Sequence, residues 1–211
     1  VGLIGCGGRG TGAAGQAMRA DSGVQLWAMG DAFDDRLTSS HGYLVDGHGE
    51  QVQVDPERKF VGFDAFQKVI DSGVDVVILT TPPHFRPEHF KYAVDNQKHV
   101  FMEKPMAVDG TGVRSVIADA QRAREQGTNV MGGFCWRYHQ PSRECYKRVL
   151  DGAIGDVKCV HSTYLSGPLG TKPRQEGWSD MEWQLRNWQH FNWLGGDHIV
   201  EQACHAVAKI N

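Results

Sequence analysis

The sequence predicts an α/β protein built on a doubly wound parallel sheet, and three features support this fold class. The chain begins with VGLIGCGGRG, in which a short apolar run leads into a G-x-G-x-x-G pattern. The near-continuous apolar run at 74–79 is typical of a strand that is buried on both faces. Apolar runs also alternate with helical patterns as far as residue 134, which favours parallel strands joined by right-handed crossovers.

The individual elements of this first region follow from hydrophobic periodicity. Short apolar runs predict strands at 1–4, 24–29, 74–79, 99–102 and 129–131. Helical patterns predict helices at 11–20, around Arg36 and Leu37, at 63–70, at 87–96 and at 108–126. The polar, glycine-rich stretch at 41–56 is interpreted as a loop.

The character of the sequence changes near residue 134. We therefore expect a dinucleotide-binding domain at 1–134 and the start of a second, α+β domain at 135–211. The second region predicts a helix at 141–150, the first strand of another sheet at 157–165, and a helix from Asp197.

Four tryptophans of the second region recur at intervals of five residues: Trp178, Trp183, Trp188 and Trp193. This spacing fits neither a helix nor a strand. Packing between domains is the favoured interpretation, and stacking against a sugar is the alternative.

Composition restricts the expected partners. The chain has 211 residues and is 40% hydrophobic, which is enough for a proper core. Its formal net charge is −3 and its basic residues form no run, so nucleic acid is not expected as a partner. No apolar stretch is long enough to predict a membrane span. The five cysteines are scattered without a C-x-x-C pair, which indicates free thiols in a reducing compartment.

Both ends of the sequence suggest further residues beyond them. Val1 already lies within an apolar run, and helical apolar spacing continues to Ile210 without a capping glycine or proline. We therefore expect additional chain on both sides. The expected location is the cytoplasm or, if an export signal precedes Val1, the periplasm.

The glycine pattern at the start of the chain has a specific physical meaning. Gly5 permits a tight turn, Gly7 lets the backbone approach a pyrophosphate, and Gly10 lets the following helix pack closely against the strand. The N-terminus of that helix offers N–H groups and a positive dipole end to phosphates. A glycine-rich turn without any ligand is the alternative.

Asp31 strengthens the nucleotide interpretation. It follows the second predicted strand, about 20 residues after the glycines, where dinucleotide folds place the acid that binds the adenosine ribose hydroxyls. A carboxylate there repels a 2′-phosphate, so NAD is expected over NADP. Asp31 is also a candidate N-cap for the next helix.

Lys104 is the first candidate for proton transfer. It follows the strand predicted at 99–102 and stands between Glu103 and Pro105, at the ligand-binding edge of the expected sheet. A buried lysine can act as an acid or a base. A plain surface lysine is the alternative.

A second candidate lies on the last predicted helix. Glu201 and His205 are four residues apart and share one face with Asp197, opposite an apolar stripe that includes Ile199. An acid and a histidine on one face can orient a hydroxyl or relay a proton. The alternatives are a solvated polar face and, less favoured, a metal site that includes His198.

Several segments together resemble the Gfo/Idh/MocA oxidoreductases: GLIGCGGRG, Asp31 followed by Arg36, TTPPHF, KHVFMEKP and GGDHIVEQACH. The resemblance runs over essentially the whole chain, and the E-K-P tripeptide at 103–105 is its most specific part. The tract WQLRNWQHFNWLGGDHIVEQ resembles a bacterial branch whose members often carry an export signal.

This resemblance implies a Rossmann domain followed by an open, mainly antiparallel sheet that contacts substrate and forms a homo-oligomer, either a dimer or a tetramer. It implies that Lys104 contacts cofactor and substrate and helps in proton transfer, and that His205 abstracts the hydroxyl proton. Two positions depart from the family pattern: Glu201 replaces the usual aspartate, and Arg86 replaces the histidine of T-P-x-x-x-H.

The expected site is drawn from both regions, with Lys104, His205 and Glu201 as its catalytic residues. Residues expected to bind the cofactor are Gly5, Gly7, Gly8, Arg9, Gly10, Asp31, Arg36, Thr81, Pro82, His84, Glu103 and Lys104. Residues expected to bind substrate are Lys104, Arg137, Tyr138, Trp193, Glu201 and His205. No resident metal is expected.

The function implied is an NAD(P)-dependent oxidoreductase that moves a hydride between nicotinamide and a sugar, polyol or sugar-derivative carbinol. One alternative is a glycoside-cleaving relative that oxidises its substrate transiently and recycles NAD. The other is a nicotinamide-binding regulatory module without turnover.

Overall fold

The structure, a computed structural model, describes residues 1–210. These residues divide into two compact units, Val1–Gly132 and the remainder from Gly133. The first unit contains a sheet flanked by helices. The described residues of the second unit form helices, turns and extended segments.

Six strands form the sheet of the first unit: β1 (Gly2–Ile4), β2 (Ala28–Asp31), β3 (Lys59–Val61), β4 (Val76–Leu79), β5 (His99–Met102) and β6 (Val130–Gly132). Every neighbouring pair is parallel, and the order across the sheet is β3-β2-β1-β4-β5-β6. The predicted doubly wound parallel sheet is confirmed. The chain order reverses between β1 and β4, and open sheets of this kind bind ligands beyond the carboxyl ends of their strands at such a point.

Helices connect the strands of this unit: α1 (Gly8–Ala20), α2 (Asp34–His48), α3 (Ala65–Asp71), α4 (Arg86–Asp95) and α5 (Gly110–Glu125). α5 has a side-chain cap, because the Asp109 carboxylate accepts the Gly112 N–H at 2.7 Å. Within residues 1–210, no helix is long and apolar enough to cross a membrane.

The sheet separates two apolar clusters, as the alternation of side chains along a strand requires. Ile4 packs in one cluster with Val77 and Leu79, whereas the neighbouring Leu3 packs in the other with Ile78. All five side chains are at most 3% exposed. Burial on both faces explains the near-continuous apolar run at 74–79 and keeps the ends of β1 and β4 side by side.

The interpretation of residues 41–56 as a loop is wrong, because α2 covers the first half of that stretch. Leu37, Ser40 and Leu44 are buried on one side of α2, at intervals of three and four residues. Leu37 and Leu44 are the two apolar residues of this buried face, and the residues between them are mostly polar or glycine. The helical period is therefore carried by very few apolar residues.

The sequence does not predict β3, which forms the edge of the sheet beyond β2. Its residues are half-buried or exposed, so they lack the apolar run that marks the inner strands. Strand β2 also begins later than predicted, at Ala28, and extends to Asp31. The Asp31 carboxylate thus stands at the very end of a paired strand.

The second unit contains α6 (Gln140–Leu150), α7 (Asp180–Arg186), α8 (Asn192–Gly195) and α9 (Cys204–Ile210). A π-helical stretch at Ile199–Ala203 leads into α9, where a regular helix from Asp197 is predicted. The predicted strand at 157–165 is absent, because these residues have no ladder hydrogen bonding. A strand requires a paired neighbour, and the described residues of this unit supply none.

Leu44→Ala tests the buried face of α2. Leu44 is 0% exposed, so its truncation leaves a cavity and should lower the free energy of unfolding by about 2–5 kcal/mol. Tyr43→Ala is the matched control, because Tyr43 is 69% exposed on the same helix and should change stability by less than about 0.5 kcal/mol. Urea denaturation followed by circular dichroism measures both. Equal effects of the two substitutions would contradict the burial of this face.

Candidate active site

The loop between β1 and α1 requires glycine at two positions. Gly5 has a φ of +96°, and a Cβ there would lie 2.7 Å from the Thr81 backbone nitrogen. A Cβ at Gly10 would lie 1.9 Å from the Gly5 carbonyl oxygen. A Cβ at Gly7 or Gly8 would meet nothing within 4 Å. The loop is therefore tight where α1 joins it and open where a ligand would approach the helix N-terminus.

The N-terminus of α1 keeps the electrostatic character of an anion site. The N-cap residue Gly7 has no side chain to accept the first N–H groups, and the first turn carries no acidic residue. The positive end of the helix dipole is thus uncompensated within its own helix. Such an end binds pyrophosphate in dinucleotide folds.

Thr80 holds the glycine-rich loop against the end of β4, a role that the sequence analysis misses. Its hydroxyl donates to the Gly5 carbonyl at 2.6 Å, and its N–H donates to the Ile4 carbonyl at 2.8 Å. A polar residue directly after a buried strand is the only local signal of this role.

Asp31 is joined to the same loop. Its Oδ2 accepts the Cys6 N–H at 2.6 Å, and its Oδ1 accepts the Phe33 N–H at 2.9 Å. Each carboxylate oxygen can accept more than one hydrogen bond, so capacity remains for ribose hydroxyl donors. Burial raises the pKa of Asp31 above its usual value, while these N–H groups and the nearby Arg36 oppose the rise.

Cys6 lies inside the loop rather than at its surface. It is 3% exposed, and its Sγ donates to the Gly30 carbonyl at 3.5 Å. Burial raises the pKa of the Cys6 thiol well above its usual value, and the Asp31 carboxylate adds to the rise. The thiol is therefore protonated at neutral pH and acts as a small packing group.

The segment after β4 is organised by Arg86. This residue is 1% exposed, and its Nη2 donates to the Thr81 carbonyl at 2.6 Å. Its Nη1 donates to the Leu79 carbonyl. Thr81 and Pro82 are half-buried at this edge, whereas His84 is exposed and lies edge-on to Phe85. The Arg86 side chain thus points beneath the strand end instead of into solvent.

His89 is a second buried polar residue of α4 that sequence reasoning does not find. Its Nδ1 lies 3.2 Å from the Thr81 hydroxyl, and its ring stacks on Phe66 at a centroid distance of 4.1 Å. Burial, assisted by the Arg86 charge, lowers the pKa of His89 to about 3. The imidazole is therefore neutral at physiological pH and can exchange a hydrogen bond with Thr81.

Glu103 joins the end of β5 to the glycine-rich loop. Its N–H donates to the Leu79 carbonyl at 2.9 Å, and its carboxylate pairs with Arg9 Nε at 2.9 Å. Because β4 separates β1 from β5 in the sheet, this ion pair crosses the end of β4. Lys104 follows directly, half-buried, and precedes a cis bond to Pro105.

The first unit therefore brings together the cofactor residues that the sequence predicts from separate strands. The Arg9–Glu103 pair, the Thr80 hydroxyl bond and the Asp31–Cys6 bond link the ends of β1, β2, β4 and β5. The uncapped helix, the open space over Gly7 and the Asp31 carboxylate all fit a dinucleotide. Among residues 1–210, no cluster of three or more histidine, cysteine or acidic side chains is placed to hold a metal ion.

Apart from Lys104, the predicted substrate residues lie in the second unit. Arg137 and Tyr138 are exposed in a 3₁₀ turn at Cys135–Tyr138. Trp193 is partly exposed on α8, and its Nε1 donates to Gln184 Oε1 at 2.9 Å. The Trp193 ring is thus oriented by a neighbouring helix rather than left mobile.

Glu201 and His205 differ from a simple polar helix face. Glu201 is 7% exposed within the π-helical stretch and accepts a bond from the Gln202 amide. Ile199, predicted on the opposite apolar stripe, is 74% exposed. A solvated Glu201 is therefore the wrong interpretation, because the wider π turn rotates the carboxylate inward.

The His205 ring is held by aromatic neighbours of its own unit. Tyr164 stacks on it at a centroid distance of 5.6 Å, and Phe134 meets it edge-on at 6.5 Å. Stacking and edge contacts of this kind restrict the plane of an imidazole. Neither aromatic contact is visible in the spacing of the sequence.

Comparison with known proteins agrees with this arrangement. A protein-family model described as "Oxidoreductase family, NAD-binding Rossmann fold" matches residues 1–134. The chain belongs to the Gfo/Idh/MocA family. The resemblance seen in the glycine-rich and E-K-P segments is thereby confirmed.

Curated Gfo/Idh/MocA relatives include inositol 2-dehydrogenase 4 of Saccharopolyspora erythraea, which is 30% identical over 95% of this chain and 55% of its own length. The 2,7-anhydro-N-acetylneuraminate hydratase of Escherichia coli is 25% identical over 60% of this chain and 30% of its own length. The chain thus spans about a third to a half of the curated relatives it matches.

Solved structures show the same fold. The match to an oxidoreductase domain protein from Kribbella flavida covers 99% of this chain and 52% of that protein. Its TM-score is 0.76, and the two sequences are 22% identical. The aldose-aldose oxidoreductase from Caulobacter crescentus gives a TM-score of 0.69 at 21% identity, covering 99% of this chain and 55% of its own.

The buried Cys6 thiol gives a test of the loop geometry. Iodoacetamide at pH 8 should label the exposed Cys135 in the folded protein and leave Cys6 unlabelled, because the reagent attacks the thiolate. Unfolding in urea should then expose Cys6 to labelling. Peptide mass spectrometry measures both. Labelling of Cys6 in the native protein as fast as Cys135 would contradict the buried loop.

Proposed function

We propose that the protein is an NAD-dependent oxidoreductase that transfers a hydride between nicotinamide and a carbinol of a sugar, polyol or sugar derivative. The observation that carries this proposal is the convergence of Asp31, the glycine-rich loop and the Glu103–Lys104 segment at one edge of the sheet. Family membership supports the same chemistry.

The first unit supplies the cofactor contacts of this proposal. The open N-terminus of α1 would bind the pyrophosphate, and the Asp31 carboxylate would accept the ribose hydroxyls. The remaining cofactor contacts are assigned to residues between the glycine-rich loop and Lys104. They are the Arg9–Glu103 pair, Thr81, Pro82 and His84. This assignment places the nicotinamide half near the ends of β4 and β5.

A bound nicotinamide ring would supply the acceptor for the hydride from the carbinol carbon. The hydroxyl proton must leave at the same time, so that a carbonyl forms. We assign its acceptance to Lys104 or His205, with Glu201 orienting the histidine. Arg137, Tyr138 and Trp193 are assigned to the substrate. Positioning, rather than further chemistry by the protein, then supplies most of the catalysis.

The names of the relatives support a polyol or cyclitol as the substrate class. Inositol 2-dehydrogenases are 30% identical to this chain over most of its length. A scyllo-inositol 2-dehydrogenase named for NAD⁺ is 26% identical over 53% of the chain. NAD is therefore the cofactor proposed, in agreement with the carboxylate at the end of β2.

A second candidate function is redox-neutral. The relative from Escherichia coli is named a hydratase, and it is 25% identical to this chain over 126 residues. A chain with this site could oxidise a glycosidic substrate transiently, promote cleavage, and return the hydride. That activity would convert substrate without net formation of NADH.

Lys104→Ala tests the dehydrogenase proposal. The complete protein, incubated with NAD⁺ and a panel of inositols, aldoses and sugar derivatives, should produce NADH, followed by absorbance at 340 nm. Loss of a proton-transfer group should lower kcat by roughly 10²–10⁴-fold. Lys98→Ala is the control, because Lys98 lies just before the amino end of β5 and should leave kcat unchanged.

Two results would count against this assignment. Unchanged kcat in Lys104→Ala would remove Lys104 from the reaction. Cofactor binding with neither NADH formation nor substrate conversion across the panel would favour the non-catalytic module. Conversion without NADH would favour the redox-neutral candidate.

Asp31→Ala tests cofactor choice. The wild-type protein should bind NAD⁺ roughly tenfold or more tightly than NADP⁺, because the carboxylate repels a 2′-phosphate. Asp31→Ala should weaken NAD⁺ binding and narrow or reverse this preference. Asp34→Ala removes an equal charge from the exposed first turn of α2 and should keep the preference. Isothermal titration calorimetry measures the affinities of all three proteins for both cofactors, and equal behaviour of the two variants would contradict direct ribose recognition.

A further inference from the structure

Arg86 is a buried cation at the edge of the cofactor site. Its guanidinium donates to the carbonyls of Leu79 and Thr81, which flank the residue that holds the glycine-rich loop. Burial lowers the pKa of Arg86 to about 10, and the Glu103 carboxylate opposes this shift. The side chain is therefore still charged at neutral pH, and its charge is balanced chiefly by Glu103.

Stability alone does not account for an arginine at this position. Its Nε is buried and has no hydrogen-bond partner among residues 1–210. An unsatisfied buried donor and a desolvated charge both carry a cost in free energy. A methionine of similar length would avoid both costs, because Arg86 is enclosed next to the apolar residues of α4 and β4.

The contacts of Arg86 converge on the segment that precedes Lys104. The Leu79 carbonyl accepts both the Arg86 Nη1 and the Glu103 N–H. The Glu103 carboxylate is attracted by the buried Arg86 charge, and it also pairs with Arg9 near the glycine-rich loop. Arg86 thus fixes the ends of β4 and β5 relative to each other through one carbonyl and one carboxylate.

The hydrogen bonds of Arg86 itself end at the Leu79 and Thr81 carbonyls and involve neither Asp31 nor the glycines of the loop. Asp31 is held by the backbone of Cys6 and Phe33, and the open N-terminus of α1 is built by the glycines. The two halves of the proposed cofactor site are therefore held in place by different residues. The adenosine half depends on β1, β2 and α1, whereas the opposite half depends on Thr81, Glu103 and the arginine beneath them.

We propose that Arg86 is a positioning residue for the nicotinamide half of the cofactor, acting through the Thr81 backbone and the Glu103–Lys104 segment. This inference rests on the proposed function. It assigns to Arg86 a selective effect: its loss disturbs the nicotinamide half and leaves binding of the adenosine diphosphate half intact.

The experiment compares NAD⁺ with ADP-ribose, which carries the adenosine, pyrophosphate and second ribose but no nicotinamide. The complete protein is studied as wild type, Arg86→Met, Arg86→Lys and Arg58→Met. Arg58 is the matched control, because it also donates to two backbone carbonyls, those of Trp27 and Gln53. Trp27 directly precedes β2, and Gln53 is hydrogen-bonded to Leu26 beside it, so both lie at the amino end of β2, away from the strand ends that form the site.

Arg86→Met should weaken NAD⁺ binding roughly tenfold or more, because a charged, buried hydrogen-bond donor is lost. Its affinity for ADP-ribose should stay within about twofold of wild type, a change that is small on the free-energy scale. Arg86→Lys keeps the charge and should recover part of the NAD⁺ affinity. Arg58→Met should change neither affinity. Without any ligand, amide hydrogen exchange at Glu103 should accelerate in Arg86→Met and not in Arg58→Met.

Equal weakening of both ligands in Arg86→Met, or no weakening of either, would overturn the inference. If Arg86→Met does not fold, the same comparison is made with Arg86→Lys, which should weaken NAD⁺ alone. A wild-type protein that binds neither ligand would instead refute the proposed function, and this inference with it. If the wild-type protein binds both ligands and Arg86→Met weakens both equally or neither, the inference about Arg86 is refuted and the proposed function is not.

Discussion

The candidate site depends on the close approach between the glycine-rich loop and the end of β4. Gly5 and Gly10 have no room for a Cβ, and the Thr80 hydroxyl fills the space between them with a hydrogen bond. This contact fixes where α1 begins and therefore where its uncapped N–H groups point. A single methyl group at either glycine would force α1 away from the sheet and separate the ends of β1 and β4.

The buried charges of Asp31 and Arg86, at the carboxyl ends of the strands, lower the stability of the protein without its cofactor. Burial raises the pKa of Asp31, so the native state disfavours the ionised carboxylate more than the unfolded state does. The contribution of Asp31 to stability is therefore greatest at low pH and is lost as the pH rises through the raised value. At neutral pH the site holds a partly desolvated Asp31 carboxylate and a desolvated Arg86, while the two apolar clusters supply the compensating stability.

Local patterns predict most of the first unit but not its internal contacts. The parallel sheet, the glycine loop, and the positions of Asp31 and Lys104 all follow from short apolar runs and the polar residues after them. Arg86 and His89 resemble ordinary positions of a polar helix in the sequence. Their burial depends on contacts made only in the fold: the Arg86 guanidinium turns back onto the Leu79 and Thr81 carbonyls, and the His89 ring stacks on Phe66 of α3. The edge strand β3 escapes prediction for the opposite reason, since half-exposed residues carry no apolar signal.

In the second unit, the orientation of the catalytic candidate His205 depends on tertiary contacts rather than on helical periodicity. A general base needs a fixed ring, and His205 lies one residue into α9, directly after a π turn that buries Glu201. Tyr164 stacks on the ring from the segment at 157–165, which has no regular secondary structure, and Phe134 approaches from the start of the unit. The segment that fails to form a strand therefore still orders the site through its aromatic side chain. Spacing along the helix predicts the Glu201–His205 pair, whereas the burial of Glu201 comes with the π turn and the orientation of the His205 ring comes from Phe134 and Tyr164.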